Sequence, residues 1–300
     1  MRELLLLATI LLGQLAPNGH LLTQVTNKLR LAPAATATKE VPKQTGAIIT
    51  RPTKKIMEDY TASAQSVYSI DLDSNATLAS KDTDKRLQIA SLTKLMTAYV
   101  ILREDKLDTI YTVPTLNPQS GDALMGINTG ERLSVRSLLY GLLINSGSDA
   151  AQTLAVGSSG SVDAFVSKMN DAASELKLAN THFANPVGWD DRDNYSSAKD
   201  LTELTRVLLR SETFAEIVKT KSKIVVTESG RQIPLTTTNQ LLYNAGFAGV
   251  KTGYTYGAGE CLVSLYLDGK THILTTVIGS AARFAETESI KGWILNHFSW

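Results

Sequence analysis

The spacing of hydrophobic residues divides the chain into three parts of different character. Between about Leu95 and Glu216 the apolar residues recur at helical spacing, with long loops between the runs. Residues 63–84 and the segment after Lys221 instead show the alternation that is typical of strands. Strands, then helices, then antiparallel strands predict an α+β fold, with an antiparallel sheet built from both chain ends, helices packed on it and a mainly helical insertion.

Local signals predict individual elements within this plan. Turn residues flanked by strand-like residues predict hairpins at 73–75 and 268–270. A helix is expected to begin at or next to Ser91, because five apolar residues then fall on one helical face: Leu92, Leu95, Met96, Tyr99 and Leu102. Another apolar run, 133–144, breaks at the small polar residues 145–148 and resumes at Asp149, which predicts a turn between two helices. Residues 285–298 predict a closing helix.

The N-terminus has the pattern of an export segment. Arg2 precedes an apolar block at residues 4–16, which has the length of a secretory signal and is short for a membrane span of about 20 residues. Glu3 and Gln14 depart from a typical cleaved signal, so an uncleaved N-terminal anchor stays open as the alternative. We therefore expect an export signal or anchor at 1–30, a linker at 31–58 rich in Ala, Thr, Pro and Lys, and a folded domain at 59–300.

Composition excludes several classes of function. The 30 Lys and Arg residues balance 29 Asp and Glu, and aromatics are few, so no nucleic-acid partner is expected. The single cysteine, Cys261, excludes an internal disulfide and is expected to be a small buried strand residue. The four histidines lack the spacing of a zinc helix, and no phosphate-binding glycine loop is present, so we expect neither a metal nor a cofactor.

The remaining chemistry is a serine activated by a lysine. Ser91 and Lys94 are three residues apart, so on a helix they share a face and the amine can take the hydroxyl proton. The same spacing occurs at 174–177 and 196–199. Context selects Ser91, because it begins a helix with a hydrophobic face, where backbone N–H groups and the helix dipole can stabilise an oxyanion.

A second motif lies near the C-terminus. Lys251, Thr252 and Gly253 begin a strand-like segment. A strand that presents Lys and Thr, with a glycine allowing close approach of substrate to the backbone, suits recognition of a carboxylate.

In this order, Ser91-x-x-Lys94, Ser146-Gly147-Ser148 and Lys251-Thr252-Gly253 resemble the active-site motifs of penicillin-binding proteins and serine β-lactamases. Four blocks extend the resemblance to the D-alanyl-D-alanine carboxypeptidase family of low-molecular-mass penicillin-binding proteins: ASLTKLMTAYV, LLINSGSDAA, THFANPVGWDDRDNYSSAKDL and GVKTGYTYGAGECLV. The resemblance runs from about Ser63 to the C-terminus. It implies a β-lactamase/transpeptidase-like fold and a serine D,D-carboxypeptidase, located outside the cytoplasm and either secreted or membrane-anchored.

The resemblance also implies a role for each motif residue. Ser91 attacks the carbonyl between two D-alanines of a peptidoglycan stem peptide, Lys94 is the base, and Ser146 passes the proton to the leaving amine. Lys251 and Thr252 hold the terminal carboxylate, and the N–H groups of Ser91 and Tyr254 form the oxyanion hole. β-Lactam antibiotics are the implied covalent inhibitors. Lys94 requires a pKa lowered by roughly 3 units, through burial and a nearby cation for which Lys251 is the candidate.

The middle motif departs from the family, which has Asn at its third position where this chain has Ser148. An Asn amide is both donor and acceptor, whereas the shorter serine hydroxyl has one proton to donate. Either a water bridges the difference or substrate positioning is weaker.

Three alternatives stay open beside the carboxypeptidase. The first is a D,D-endopeptidase that cuts peptidoglycan crosslinks. The end of the chain at Trp300, soon after the predicted helix, favours this alternative. The second is a wall-binding protein with weak chemistry, motivated by Ser148. A β-lactamase is disfavoured, because the Glu-x-x-Leu-Asn deacylation motif does not occur.

Overall fold

The structure is a computed structural model that describes residues 51–56 and 58–300. The predicted export segment and most of the predicted linker lie outside these residues. Strand β1 (Thr53–Lys54) falls within the predicted linker, yet it pairs antiparallel with the last strand of the chain, Phe298–Ser299. The described residues contain no helix that is both long and apolar enough to cross a membrane.

The centre of the fold is one antiparallel sheet of five strands. In spatial order they are β10 (Phe247–Thr255), β11 (Gly259–Asp268), β12 (Thr271–Ser280), β2 (Ser66–Asp71) and β3 (Thr77–Lys81). Strand β12 pairs with β2, with Val277 opposite Val67, so the two ends of the chain meet in the middle of the sheet. Both predicted hairpins, β2–β3 and β11–β12, are confirmed.

Seven helices and three two-stranded sheets complete the described fold. The helices are α1 (Lys94–Glu104), α2 (Val135–Leu143), α3 (Ser148–Ser159), α4 (Val162–Glu175), α5 (Ala198–Leu208), α6 (Glu212–Val218) and α7 (Arg283–His297). The small sheets pair β4 (Leu87–Gln88) with β7 (Tyr195–Ser196), β5 (Ile110–Thr112) with β6 (Arg132–Ser134), and β8 (Ser222–Val226) with β9 (Gln232–Thr236). Short 3₁₀ turns lie at Ala90–Thr93 and Gln240–Tyr243. The predicted α+β class and the predicted closing helix are confirmed.

Helix α1 is more deeply buried than its sequence pattern predicts. Leu95 and Met96 are fully buried as expected, but so are Val100 and Ile101, which lie off the predicted face. The reason is that α1 contacts α2, α3, α4 and α5, so most of its length is covered. Tyr99 and Leu102 of the predicted face are only partly buried, and the last turn exposes Arg103 and Glu104. A helix that is apolar on all sides is a core helix.

The strand-like residues after Lys221 do not all join the central sheet. Strand β8 pairs with β9 in a sheet of its own, and only β10, β11 and β12 enter the central sheet. Alternation of apolar and polar residues identifies a strand and its buried face, but it does not choose the strand's partner.

Alternate residues of the sheet enter two different cores. On β11, Cys261, Val263 and Leu265 face the large core that the first six helices share, whereas Leu262 and Tyr266 pack on the side of α7. Cys261 is buried as expected. Burial raises the pKa of its thiol to about 12, so the thiol stays protonated at neutral pH.

Candidate active site

The 3₁₀ turn before α1 brings the predicted serine and lysine together. Lys94 Nζ donates a hydrogen bond of 2.9 Å to Ser91 Oγ and another of 2.7 Å to the carbonyl oxygen of Val187. The lysine is buried, whereas the serine is partly exposed. The amine is therefore positioned to take the proton of this hydroxyl group.

The other two Ser-x-x-Lys sequences have no comparable geometry. Ser174 is exposed on α4. Ser196 bonds instead to the hydroxyl of Thr181 at 2.7 Å, and the amine of Lys199 lies 3.5 Å from Asp84. Context, rather than spacing, distinguishes the Ser91 pair.

A tightly held loop fixes the turn that carries Ser91. Ala90 has a left-handed backbone (φ 48°), and Gly188 (φ 98°) lies so close that a Cβ there would be 2.0 Å from the Ala90 carbonyl oxygen. The side-chain oxygen of Asn185 accepts hydrogen bonds from the backbone N–H groups of Val187, Gly188 and Trp189. The loop at 185–189 therefore holds both the turn before α1 and the carbonyl that binds Lys94.

The middle motif is the predicted turn, and it lies between α2 and α3. Ser146 has a left-handed backbone (φ 60°), and its Oγ accepts a hydrogen bond of 2.9 Å from Lys251 Nζ. Ser148 is the first residue of α3 and is only 2% exposed. Within the described residues its hydroxyl group makes no hydrogen bond, although it lines the cleft. Ser146 and Lys251 thus form a second hydroxyl–amine pair beside the first.

The buried residue Asp149 holds two segments together next to the middle motif. Its buried carboxylate accepts hydrogen bonds from four backbone N–H groups, those of Met125, Gly126, Ile127 and Ala150. These bonds tie residues 125–127 to the start of α3. We did not predict a role for this residue from the sequence.

Strand β10 carries the third motif. Lys251 is its fifth residue rather than its first, and Thr252 Oγ1 lies 2.6 Å from Thr238 Oγ1. A Cβ on Gly253 would lie 3.1 Å from the backbone nitrogen of Ser91. The glycine therefore allows the strand itself to approach the turn of the serine, a contact that we did not predict. Arg283 Nη1 donates to the Gly253 carbonyl oxygen at 2.7 Å.

These elements enclose a cleft of about 490 Å³. It is lined by six of the eight predicted site residues, Ser91, Ser146, Ser148, Thr252, Gly253 and Tyr254. The other two, Lys94 and Lys251, lie buried behind it with their amines on Ser91 and Ser146. In the described part of the chain, no cluster of acidic, His and Cys side chains is placed to hold a metal ion.

Sequence reasoning missed several residues that line the same cleft: Asp122, Trp189, Asp190, Thr238, Tyr256 and Arg283. Of these residues, only Arg283 has a feature in the local sequence that could have indicated a role in the site. It lies in the first turn of α7, where the helix dipole disfavours a cation, so a role other than helix stability could have been suspected. The others depend on contacts between distant segments.

Burial dominates the electrostatics of both lysines. It lowers the pKa of Lys94 to about 7, against the opposing charges of Asp122 and Asp149. The pKa of Lys251 lies well below its usual range, first because of burial and then because of the charges of Lys94 and Arg283. The sequence predicts that burial and Lys251 together lower the pKa of Lys94; burial does so, but Lys251 is not among the causes, and the charges that act on Lys94 raise its pKa.

Comparisons with known proteins agree with the fold and the motifs. A profile of the D-alanyl-D-alanine carboxypeptidase family matches residues 53–282. The D-alanyl-D-alanine carboxypeptidase DacF of Bacillus subtilis is 34% identical over 224 residues, which cover 73% of this chain and 58% of that protein. The D-alanyl-D-alanine carboxypeptidase of Streptomyces sp. strain K15 is 35% identical over 241 residues, or 74% of this chain and 82% of that one. This chain thus spans less than two thirds of the Bacillus relative.

Solved structures show the same architecture. The crystal structure of the Streptomyces K15 DD-transpeptidase superposes with a TM-score of 0.74 at 32% identity, and covers 80% of this chain and 99% of that one. A penicillin-binding protein homologue from Mycobacterium tuberculosis gives a TM-score of 0.74 at 28% identity, with 81% and 95% covered. The predicted β-lactamase/transpeptidase-like fold is confirmed.

Proposed function

Because this chain belongs to the D-alanyl-D-alanine carboxypeptidase family, we propose that it is a serine D,D-carboxypeptidase that removes the terminal D-alanine from peptidoglycan stem peptides. The observation that carries the proposal is the 2.9 Å hydrogen bond from the buried amine of Lys94 to the hydroxyl group of Ser91, in an open cleft. The pair supplies a nucleophile and its base in contact before any substrate arrives.

Acylation begins when neutral Lys94 accepts the Ser91 proton and Oγ attacks the penultimate carbonyl carbon. The Val187 carbonyl holds the amine of Lys94 in place by a 2.7 Å hydrogen bond. The backbone N–H groups of Ser91 and Tyr254 stabilise the oxyanion. The result is a tetrahedral intermediate bonded to Ser91 Oγ.

Collapse of this intermediate needs a proton on the leaving amine of D-alanine. Ser146 donates it and is supplied by Lys94, while Lys251 holds the Ser146 oxygen at 2.9 Å. The peptide C–N bond breaks, D-alanine leaves, and an ester on Ser91 remains. Water then hydrolyses the ester, and Lys94 again acts as the base.

The end of the cleft beyond the serine suits a carboxylate. The hydroxyl groups of Thr252 and Thr238 are in contact, and Arg283 lines the same wall. Two hydroxyl donors and a guanidinium group are appropriate partners for the C-terminal carboxylate of the substrate, with Lys251 behind them.

The substrate implies where the protein works and what inhibits it. Peptidoglycan lies outside the cytoplasm, so we place the domain at 59–300 there, behind a linker at 31–58. Residues 1–30 act as its signal or its membrane anchor. β-Lactams acylate Ser91 because they present an amide carbonyl and a carboxylate to the same groups.

One assay separates the alternatives. Purified protein is incubated with a pentapeptide muropeptide and with a crosslinked dimer, and the products are separated by chromatography. Free D-alanine from the pentapeptide supports the carboxypeptidase. Conversion of the dimer to monomers alone would identify an endopeptidase, while labelling by a fluorescent penicillin without turnover of either substrate would favour a weak wall-binding protein.

The rate of acylation is expected to fall on the acid side with an apparent pKa of about 7. Only the neutral form of Lys94 can accept the serine proton, and burial lowers the pKa of this lysine to about 7. Below that pH the rate decreases about tenfold per unit, and above it the rate is level. The second-order rate constant for a fluorescent penicillin, measured from pH 5 to pH 9 (roughly two units on each side of neutrality), tests this.

The Asp122→Asn variant tests whether the protonation of Lys94 causes this fall in acylation rate at low pH. The charge of Asp122 raises the pKa of Lys94, so removing this charge moves the fall in acylation rate to lower pH. Asparagine keeps an oxygen that can accept the 2.8 Å hydrogen bond from Trp189. If the acylation rate of this variant falls at the same pH as that of the wild type, the assignment to Lys94 is wrong.

Ser148→Asn is expected to preserve or raise the rate of acylation. The Ser148 hydroxyl makes no hydrogen bond to the described residues, and an amide would restore the donor and acceptor groups of the family motif. Rate constants for the fluorescent penicillin in the variant and the wild type check this. A loss above about tenfold, or about 1.4 kcal/mol of barrier, would mean that the cleft has adapted to serine.

A further inference from the structure

The cleft has different chemistry on the two sides of the serine. Strand β10 passes Ser91 at Gly253, where a Cβ would be 3.1 Å from the serine nitrogen. Thr252 precedes this point on the strand, and the Gly253 carbonyl oxygen accepts a 2.7 Å hydrogen bond from Arg283. On the other side the strand continues to Tyr254 and then into the turn that joins β10 to β11.

That turn holds a carboxylate in the cleft wall. Asp190 lines the cleft, and one of its oxygens accepts a 3.0 Å hydrogen bond from the backbone N–H of Gly257. A Cβ on Gly257 would lie 1.8 Å from the side-chain oxygen of Gln88 and 3.1 Å from the carboxyl carbon of Asp190. The glycine therefore permits the contact that fixes Asp190. Within the described residues the second carboxylate oxygen makes no hydrogen bond and is open to solvent.

Two exposed aromatic rings stand beside this carboxylate. Tyr254 is 57% exposed and Tyr256 is 96% exposed, and both line the cleft. Their ring centroids are 6.1 Å apart. Aromatic faces attract cations, so the rings and the Asp190 carboxylate favour the same kind of ligand group.

The direction of the substrate follows from the proposed function, on which this inference rests. With the terminal carboxylate at Thr252 and the reacting carbonyl at Ser91, the preceding residue of the stem peptide passes Tyr254. Where that residue is a diamino acid such as lysine, its side chain ends in an ammonium group. One residue of chain and a four-carbon side chain span roughly 10 Å, and Asp190 lines the same cleft as Ser91.

We propose that Asp190, with Tyr254 and Tyr256, forms a subsite for the side-chain ammonium group of the diamino residue that precedes the two D-alanines. The opposite wall adds negative potential without a free acceptor. The two carboxylate oxygens of Asp122 already accept hydrogen bonds of 2.8 Å from the Trp189 side chain and the Gln119 backbone. Asp190 therefore makes the direct contact.

The test compares two peptides in each protein. Both are Nα-acetyl-lysyl-D-alanyl-D-alanine, and in one of them the side-chain nitrogen is also acetylated. Wild-type kcat/KM is expected to be about fivefold higher for the peptide with the free ammonium group, the range for an ion pair in a cleft open to solvent. In Asp190→Asn this ratio falls to about one. A purely structural effect would lower both values and keep the ratio.

Asp193→Asn is the matched control, because it removes an exposed carboxylate from the same loop but outside the cleft lining. It is expected to keep the wild-type ratio. Competition of the two peptides against a fluorescent penicillin gives a second measure of the same preference. A ratio of one in the wild type, or a preference that survives in Asp190→Asn, would overturn the subsite, while release of D-alanine by the wild type leaves the proposed function intact. Absence of labelling in the wild type would overturn both.

Discussion

The Ser91→Ala variant is expected to form no covalent adduct with a fluorescent penicillin and to release D-alanine at least about a thousandfold more slowly than the wild type. The reason is that Ser91 Oγ is the atom that is acylated, and it is the hydroxyl oxygen bound by Lys94 Nζ at 2.9 Å. Gel fluorescence and chromatographic assay of D-alanine measure the two effects. The cleft itself stays in place, because alanine fits wherever serine does.

Ser174→Ala is the matched control, since Ser174 begins another Ser-x-x-Lys sequence and is exposed on α4. It is expected to label like the wild type. Equal labelling of Ser91→Ala and the wild type would refute the acyl-enzyme on Ser91, and loss of labelling in Ser174→Ala would show that the comparison reports stability instead.

A single methyl group on Gly188 is expected to lower the rate of acylation by about a hundredfold or more. The Cβ of alanine would lie 2.0 Å from the carbonyl oxygen of Ala90, and neither backbone can yield without moving the turn of Ser91 or the carbonyl of Val187. Displacements of about 1 Å in a reacting pair have effects of this size. The penicillin rate constant measures the loss, and circular dichroism shows that the variant is folded.

The Gly230→Ala variant separates the effect of this steric clash from the effect of backbone strain. Gly230 has a similarly left-handed backbone (φ 89°), but no atom lies within 4 Å of a Cβ built there. Alanine at this position has the strain of about 1 kcal/mol without the contact, so acylation is expected to stay within about twofold of the wild type. A Gly188→Ala variant that acylates within threefold of the wild type would contradict the account of this loop.

Local features of the sequence predict those parts of the site that are close along the chain. Ser91 and Lys94 are one helical turn apart, and the polar turn at 145–148 interrupts an apolar run, so both could be located by spacing and pattern. The two hairpins have turn residues of their own. In each case the physical cause acts over fewer than about ten residues.

The rest of the cleft depends on partners that are distant in the sequence. Asp149 is an ordinary acidic residue at the start of a helix until its three backbone donors from residues 125–127 are known. Trp189 and Asp122 meet only when two loops fold against each other. The approach of substrate at Gly253 stays a prediction, whereas its contact with the turn of Ser91 could not be predicted, because no local feature indicates which strand passes that turn.

The pairing of β12 with β2 has a consequence for the order of folding. Val67 and Val277 are about two hundred residues apart along the chain, and closing so long a loop costs entropy before the pairing is formed. Ser91 and Lys94 can meet early, since their turn is local. Lys251, Thr252 and Arg283 join them only after the last strands have been synthesised and paired. In an incomplete chain Lys94 is next to the serine but not yet buried, so its amine stays protonated and is not yet a base, and reactivity arises only with the finished fold.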